Sequence, residues 1–238
     1  MGVYFGEEKV AFCLGGQKFR IKDTFKKSSI ETLVIGNPIV VTDVIDEIHP
    51  LDINLSSDVL TDFSGIKVSR YGRNLLKWNF SIIASSNTCK FNLYLPKGTY
   101  NFNSNFHKTD TADKQYGVFI NKGDSVNYQQ PHTIIRNFAG KSFKDTFTVE
   151  ESGDYTLYFR STTGTTVDEL EEYLLKVNPA QIAFGDTVLP IAPYVDSQTA
   201  TADENGVVEG LTSISPNMTI FADNDDVIIN LKYYKEMV

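Results

Sequence analysis

The chain reads as all-β, and three observations carry that reading. Side chains suited to a pleated, half-buried surface are abundant, with 16 Phe and 12 Tyr among 238 residues beside many Val, Ile and Thr. Apolar and polar residues alternate in short runs along most of the chain. Turn chemistry separates those runs: Gly15-Gly16, Lys97-Gly98, Asn121-Lys122-Gly123-Asp124, Glu151-Ser152-Gly153-Asp154 and Asn205-Gly206 each sit between strand-like segments. Residues 166–175 alone have helical character, with Thr166 suited to an N-cap and Glu169 at the third helical position. A helical turn is expected there, running into a strand from about Leu174 to Phe184.

Residues 1–36 form a first expected region, a small β module with short strands at residues 3–6, 9–12 and 19–21 around glycine turns, followed by a charged stretch over 22–27. Residues 37–74 form a connecting β segment. Within it, residues 38–55 read as two strands joined at His49-Pro50, because proline disfavours helix at the preceding residue. Residues 75–195 make the largest region, an antiparallel two-sheet domain. Cys89, Phe91, Leu93 and Leu95 share one face of a strand, as do Tyr155, Leu157 and Phe159 of another; Lys90, Asn92, Tyr94, Thr156, Tyr158 and Arg160 fall on the opposite face. Trp78 alternates with Phe80 and Ile82 and is expected in the core. Residues 196–238 end the chain as a C-terminal β-hairpin, in which Val227, Ile229, Leu231 and Tyr233 alternate with Asp226, Asn230, Lys232 and Tyr234, leaving Ile228 as the exception.

Composition narrows the function classes. A hydrophobic content of 41% supports a true core, and a mean hydropathy of -0.20 fits a soluble chain. The net charge of -8 argues against nucleic acid or an anionic membrane surface as partner, since such binding needs clustered Lys and Arg. Residues 1–8 lack the basic and apolar regions of a signal peptide, and no apolar run approaches membrane-spanning length. Cys13 and Cys89 are too few for a disulfide framework; two buried thiols are favoured over a single Cys13–Cys89 bridge.

No catalytic residues and no cofactor are expected. The chain has no Gly-x-Ser-x-Gly elbow, no His-Glu-x-x-His and no phosphate-binding glycine loop. His49, His107 and His132 are scattered without metal-ligand spacing, and Asp223-Asn224-Asp225-Asp226 lacks the alternation and closing Glu of a calcium loop, so it is expected as a polar turn.

Two stretches point further. The first is residues 184–194, Phe-Gly-Asp-Thr-Val-Leu-Pro-Ile-Ala-Pro-Tyr, leading into residues 217–234 with their acidic turn and final strand. The second is residues 66–76, where a strand is followed by Gly72, Arg73, Asn74 and Leu75. Together these resemble the minor structural and tail-appendage proteins of phages and prophages of Gram-positive bacteria. In that family the middle region is similar to a carbohydrate-binding-module β-sandwich, here matched by residues 90–102 and by residues 143–160 with their Tyr-x-Leu-x-Phe.

The resemblance implies a non-enzymatic virion protein of the tail, baseplate or a fibre, made in the host cytoplasm and released by lysis. It implies a homo-oligomer, a trimer by family habit, with other phage structural proteins as partners and a host-surface polysaccharide as the possible ligand. In the family the last strand often continues into a coiled coil, whereas this sequence ends at Val238; any trimer is then expected to be held by the β modules. The alternative is a head fibre or capsid decoration protein with a purely architectural role. A secreted bacterial polysaccharide-binding domain is disfavoured by the missing signal peptide.

The candidate ligand face consists of Lys90, Asn92, Tyr94, Tyr158 and Arg160. Flat phenolic rings beside amide and cationic groups suit the C–H faces and hydroxyls of sugars. The same residues are open to two other readings: cross-strand pairs stabilising an exposed sheet by roughly 0.2–1 kcal/mol, or a subunit interface. Phe106, His107, Tyr116, Tyr128, His132 and Arg136 lie in or beside a long irregular stretch where ligands could also be met.

Overall fold

The computed structural model describes residues 11–14, 17–20, 30–45, 49–83, 88–104, 115–126, 132–136, 143–163, 168, 180–213 and 217–235. Its regular structure is almost wholly antiparallel β. The strands are β1 (Ala11–Leu14), β2 (Gln17–Arg20), β3 (Ile30–Gly36), β4 (Ile39–Val41), β5 (Asp52–Ser56) and β6 (Lys67–Tyr71). Then come β7 (Ser81–Ile83), β8 (Thr88–Leu95), β9 (Gly98–Ser104), β10 (Gln115–Lys122), β11 (His132–Arg136) and β12 (Phe143–Val149). The last six are β13 (Gly153–Thr163), β14 (Gln181–Phe184), β15 (Gln198–Thr201), β16 (Val207–Val208), β17 (Met218–Ala222) and β18 (Ile228–Lys235). The helical turn expected over 166–175 lies outside the described residues except for Asp168.

Beyond the small β1–β2 hairpin, the strands make two units, each of two sheets around one core. The outer unit has sheets of order β15-β6-β17-β4 and β16-β5-β18-β3, and its core runs from Ile39, Val41, Ile53 and Val68 to Ile220, Ile229 and Leu231. The inner unit has sheets of order β11-β10-β13-β8-β7 and β12-β9-β14, around Phe91, Tyr100, Phe102, Val118, Leu157 and Phe159. The inner unit is an insertion. The chain leaves the outer unit at the end of β6 and returns at the start of β15, and these two strands pair, Arg70 with Gln198.

This arrangement changes how the flanking segments are understood. Strands β3–β6, read from sequence as the end of one module and a connector, fold with β15–β18 into one unit. Among the described residues β17 and β18 do not form the expected C-terminal hairpin: β17 pairs with β4 and β6, while β18 pairs with β3 and β5, so the two strands join opposite sheets. The turn between them is tied down by Asn37. Its side-chain oxygen accepts from the Ala222 amide at 3.0 Å, and its amide donates to the carbonyls of Asn224 and Val227. The period-two pattern of β18 holds, with Val227, Ile229, Leu231 and Tyr233 buried and Ile228 exposed.

In the inner unit the pattern holds on one face of β8 and β13, where Cys89, Phe91, Leu95, Leu157 and Phe159 are buried. Cys89 is 0% exposed. Trp78 and Phe80 are half-buried, their rings 5.0 and 5.6 Å from that of Phe91, while Ile82 is exposed. Strand β9 is buried on both faces. Its outward residues Asn101 and Asn103 lie under the returning segment, donating to the carbonyls of Ala183 and Gly185 and of Leu189. A buried amide needs such partners, since an unsatisfied one costs about 1–3 kcal/mol.

Asn74 closes the inner unit where the chain enters and leaves. Its side-chain amide donates to the carbonyls of Ala180 and Ala192, its oxygen accepts from the Leu76 amide, and its backbone bridges Tyr194. Arg73 reaches the Pro190 carbonyl and Lys77 pairs with Asp196 at 3.0 Å. The two stretches quoted for the family resemblance, residues 66–76 and 184–194, therefore lie against each other.

Candidate functional site

At one end of the five-stranded sheet the strand ends β8, β10 and β13 and their turns surround a cleft of about 440 Å³. Antiparallel register builds it. Tyr94 sits opposite Asp154, and Asn92, Thr156 and Asn121 form one cross-strand row. Gly123 and Asp124 close one side, and the cleft is lined among others by Asn92, Tyr94, Asp124, Asp154 and Thr156. The Thr156 hydroxyl donates to the Gly123 carbonyl at 2.7 Å, holding the turn against the strand.

Tyr94 supplies the aromatic wall. It is half-buried and stacks on Phe221 of β17, with its hydroxyl donating to the Asp223 carbonyl at 3.4 Å. Burial first, then the carboxylates of Asp223 and Asp225, pushes its phenol above the ordinary value, so the ring is neutral across the physiological range. Tyr155, on the core side, donates from its hydroxyl to the Glu151 carbonyl at 2.8 Å. Lys90 stands beside the cleft, paired with Asp124, and Lys122 pairs with Glu151 on the next turn.

The five residues singled out from sequence therefore divide. Asn92 and Tyr94 line the cleft, and Lys90 is tied to its wall. Tyr158 does not belong to an exposed face: it is fully buried, its ring parallel to that of Phe119 at 5.1 Å. Residues 156–158 of β13 are all buried, so both faces of the strand are covered there, and the Tyr158 ring stacks on Phe119 of the neighbouring β10. Arg160 lies opposite Thr88 at the far end of that ladder, six residues beyond Asp154, and does not reach the cleft. Phe106, His107 and Tyr128 lie outside the described residues, as do the side chains of Tyr116, His132 and Arg136.

Sequence reasoning placed Asp124 and Asp154 in turns and gave them no role. The signal was the pair of glycine turns, but only the register of β8, β10 and β13 brings both carboxylates to one cleft.

The acidic turn is occupied structurally. Asp223 accepts from the Lys67 amide, Asn224 from the Asp226 amide, and Asp225 from the Ser152 hydroxyl across the junction. Among the described residues no group of three or more His, Cys, Asp or Glu is placed to hold a metal, and no helix is long and apolar enough to cross a membrane. A second cavity of about 510 Å³ lies in the outer unit, lined by Pro50, Leu51, Val208 and Leu211 beside His49. His49 stacks on Tyr234, ring centroids 4.3 Å apart.

In comparisons with known proteins, no family model, no curated protein and no solved structure matches the chain.

Proposed function

We propose that this chain is a phage virion structural protein of the tail, baseplate or a fibre, without catalytic activity, whose inner unit is a carbohydrate-binding-module-like sandwich that touches host-surface glycan. The observation that carries this reading is the Tyr94 cleft. It joins a half-buried phenolic ring to the Asn92 amide and two carboxylates, the combination of apolar platform and hydrogen-bonding groups that a sugar ring requires. The outer unit and the residues before it serve as the attachment to the particle, other phage structural proteins are its neighbours, and neither nucleic acid nor a membrane is a partner. Assembly as a homo-oligomer, a trimer in the favoured form, multiplies a weak single-site contact through effective concentration. No cofactor or metal has a part in it.

The test is retention of the purified chain on Gram-positive cell-wall polysaccharide. Wild type is expected to be retained and both Tyr94→Ala and Asn92→Ala to wash through; equal recovery of all three from the wall, or no retention of wild type, sinks the reading. A second reading, head fibre or capsid decoration, is favoured by one feature. Leu33 and Ile35 are more than half exposed on edge strand β3, where a neighbouring subunit could pair. Immunogold labelling of particles separates the two, since label on the tail or fibres supports the first and label over the head supports the second.

A further inference from the structure

Charge around the Tyr94 cleft is uneven in a way that selects among sugars. Asp124 lines it from the turn after β10 and Asp154 from the first residues of β13. Asp223 and Asp225 lie close enough to the Tyr94 hydroxyl to act on it electrostatically. The Lys90 ammonium stands beside these carboxylates, and Asp124 already holds it. Lys122 on the neighbouring turn is taken by Glu151. Asp154 is exposed and makes no ion pair among the described residues. Acidic side chains alone would be a solvated surface. Here they frame a concave site that already offers a ring and an amide, and a cleft walled by one sign of charge concentrates its field on whatever enters.

We propose that this cleft takes a saccharide unit carrying a protonated amine and turns away phosphate- and uronate-bearing chains, an inference that rests on the glycan reading above. An ammonium on the sugar adds opposite charge to its hydrogen bond with the Asp154 carboxylate, whereas the N–H of an N-acetyl group at the same place donates to that carboxylate without an ion pair. A difference of that kind is worth roughly tenfold in affinity. A phosphate or uronate group meets like charge on both sides of the cleft, with no free cation in its walls to receive it.

The experiment is calorimetric titration of the full chain, at mildly acidic pH and low salt, with three probes: a glucosamine oligosaccharide, its N-acetylated counterpart and a galacturonate oligosaccharide. The free-amine oligomer is expected to bind roughly tenfold tighter than the N-acetylated one, with no heat from the uronate. Asp154→Asn should bring the first two to near equality while leaving the N-acetylated affinity unchanged. Glu209→Gln, the same loss of charge beside edge strand β16, should keep the preference and so exclude a general attraction of an acidic protein for a polycation. Equal binding of amine and N-acetyl forms, tighter binding of the uronate, or a preference that survives Asp154→Asn overturns this inference and leaves the glycan reading in place. If no oligosaccharide binds and the cell wall retains nothing, the glycan reading falls and the inference with it.

Discussion

The ring of Tyr94 lies 5.5 Å from that of Phe221 at an interplanar angle of 14°, so a side chain of the inner unit rests on a strand of the outer one. Tyr71 stacks on the same Phe221 at 5.3 Å and 11°. Phe221 itself is 2% exposed although it points away from the core of its own unit. The residue that walls the candidate cleft is thus also a contact of the junction, and the two roles can be separated by substitution.

Phe221→Ala should cost about 3–5 kcal/mol, the usual range for emptying a buried aromatic site, and should also weaken retention on cell wall because Tyr94 loses the ring that seats it. Tyr94→Phe keeps the stack and gives up only the long bond to the Asp223 carbonyl, so its stability should stay within about 1 kcal/mol of wild type. Chemical denaturation with retention measured in parallel checks both. A Phe221→Ala chain as stable as wild type would mean that the stack contributes nothing.

Truncation after Pro216 removes β17 and β18, each the neighbour of two other strands in its sheet. Both outer-unit sheets then lose an inner strand and the core loses Ile220, Ile229 and Leu231. The outer unit should fail to fold, seen as a lost unfolding transition and, if the chain is an oligomer, a changed mass in light scattering. Retention of both melting temperature and mass would contradict the topology described above.

Gly206 has φ of 84°, and a Cβ there would stand 2.9 Å from the Leu55 carbonyl oxygen. That oxygen belongs to a paired strand and cannot swing aside. Gly206→Ala should therefore destabilise the outer unit by about 1–3 kcal/mol, combining left-handed backbone strain with the contact. A melting temperature unchanged by the substitution would refute this.

Tyr233 gives a pH signature. Burial first, and then the hydrogen bond from its hydroxyl to the Asp43 carboxylate at 2.7 Å, raises its phenol from 10.0 to about 12. A folded-state value above the unfolded one means the neutral phenol is what folding favours. Its contribution is complete below pH 10 and is lost as pH rises through 12. Tyr233→Phe should lower stability at neutral pH by about 0.5–1.5 kcal/mol, yet flatten the alkaline decline, as urea midpoints measured along an alkaline series would reveal. A decline as steep in the variant would assign it to other tyrosines.

Arg160→Ala should leave cell-wall retention unchanged while Asn92→Ala removes it, because only Asn92 reaches the cleft. The reverse result would return the binding face to the far end of β13.

Alternation along β8, β13 and β18 was enough to name the core face of each, since a strand's side chains can point only two ways. Cys89, Phe91, Leu157, Ile229 and Leu231 are buried as their spacing requires. What lies over the opposite face is not written in a strand's own residues. Tyr158 and Arg160 alternate in register with Tyr94, yet Tyr158 is buried against Phe119 of the neighbouring strand, a contact its own strand's pattern does not show. Pairing partners were hidden for the same reason. Val227 to Tyr233 declare a strand, but Ile229 meets Gly36 and Leu55, 193 and 174 positions earlier in the chain. Asp124 and Asp154 read as ordinary turn residues until the sheet register sets them around one cleft.

The insertion of the inner unit between β6 and β15 has a mechanical side. Both covalent links leave from the same end of one antiparallel pair, so a tug on the inner unit is shared by two backbones instead of one. Directed along the strands, it meets the β6–β17 ladder from Val68 to Tyr71 sideways. Those hydrogen bonds are strained together and must give way as a group, where a peeling load would open them singly. The pairing of Asn74 with Tyr194, and the stack on Phe221, then act as side braces that keep the pull in line.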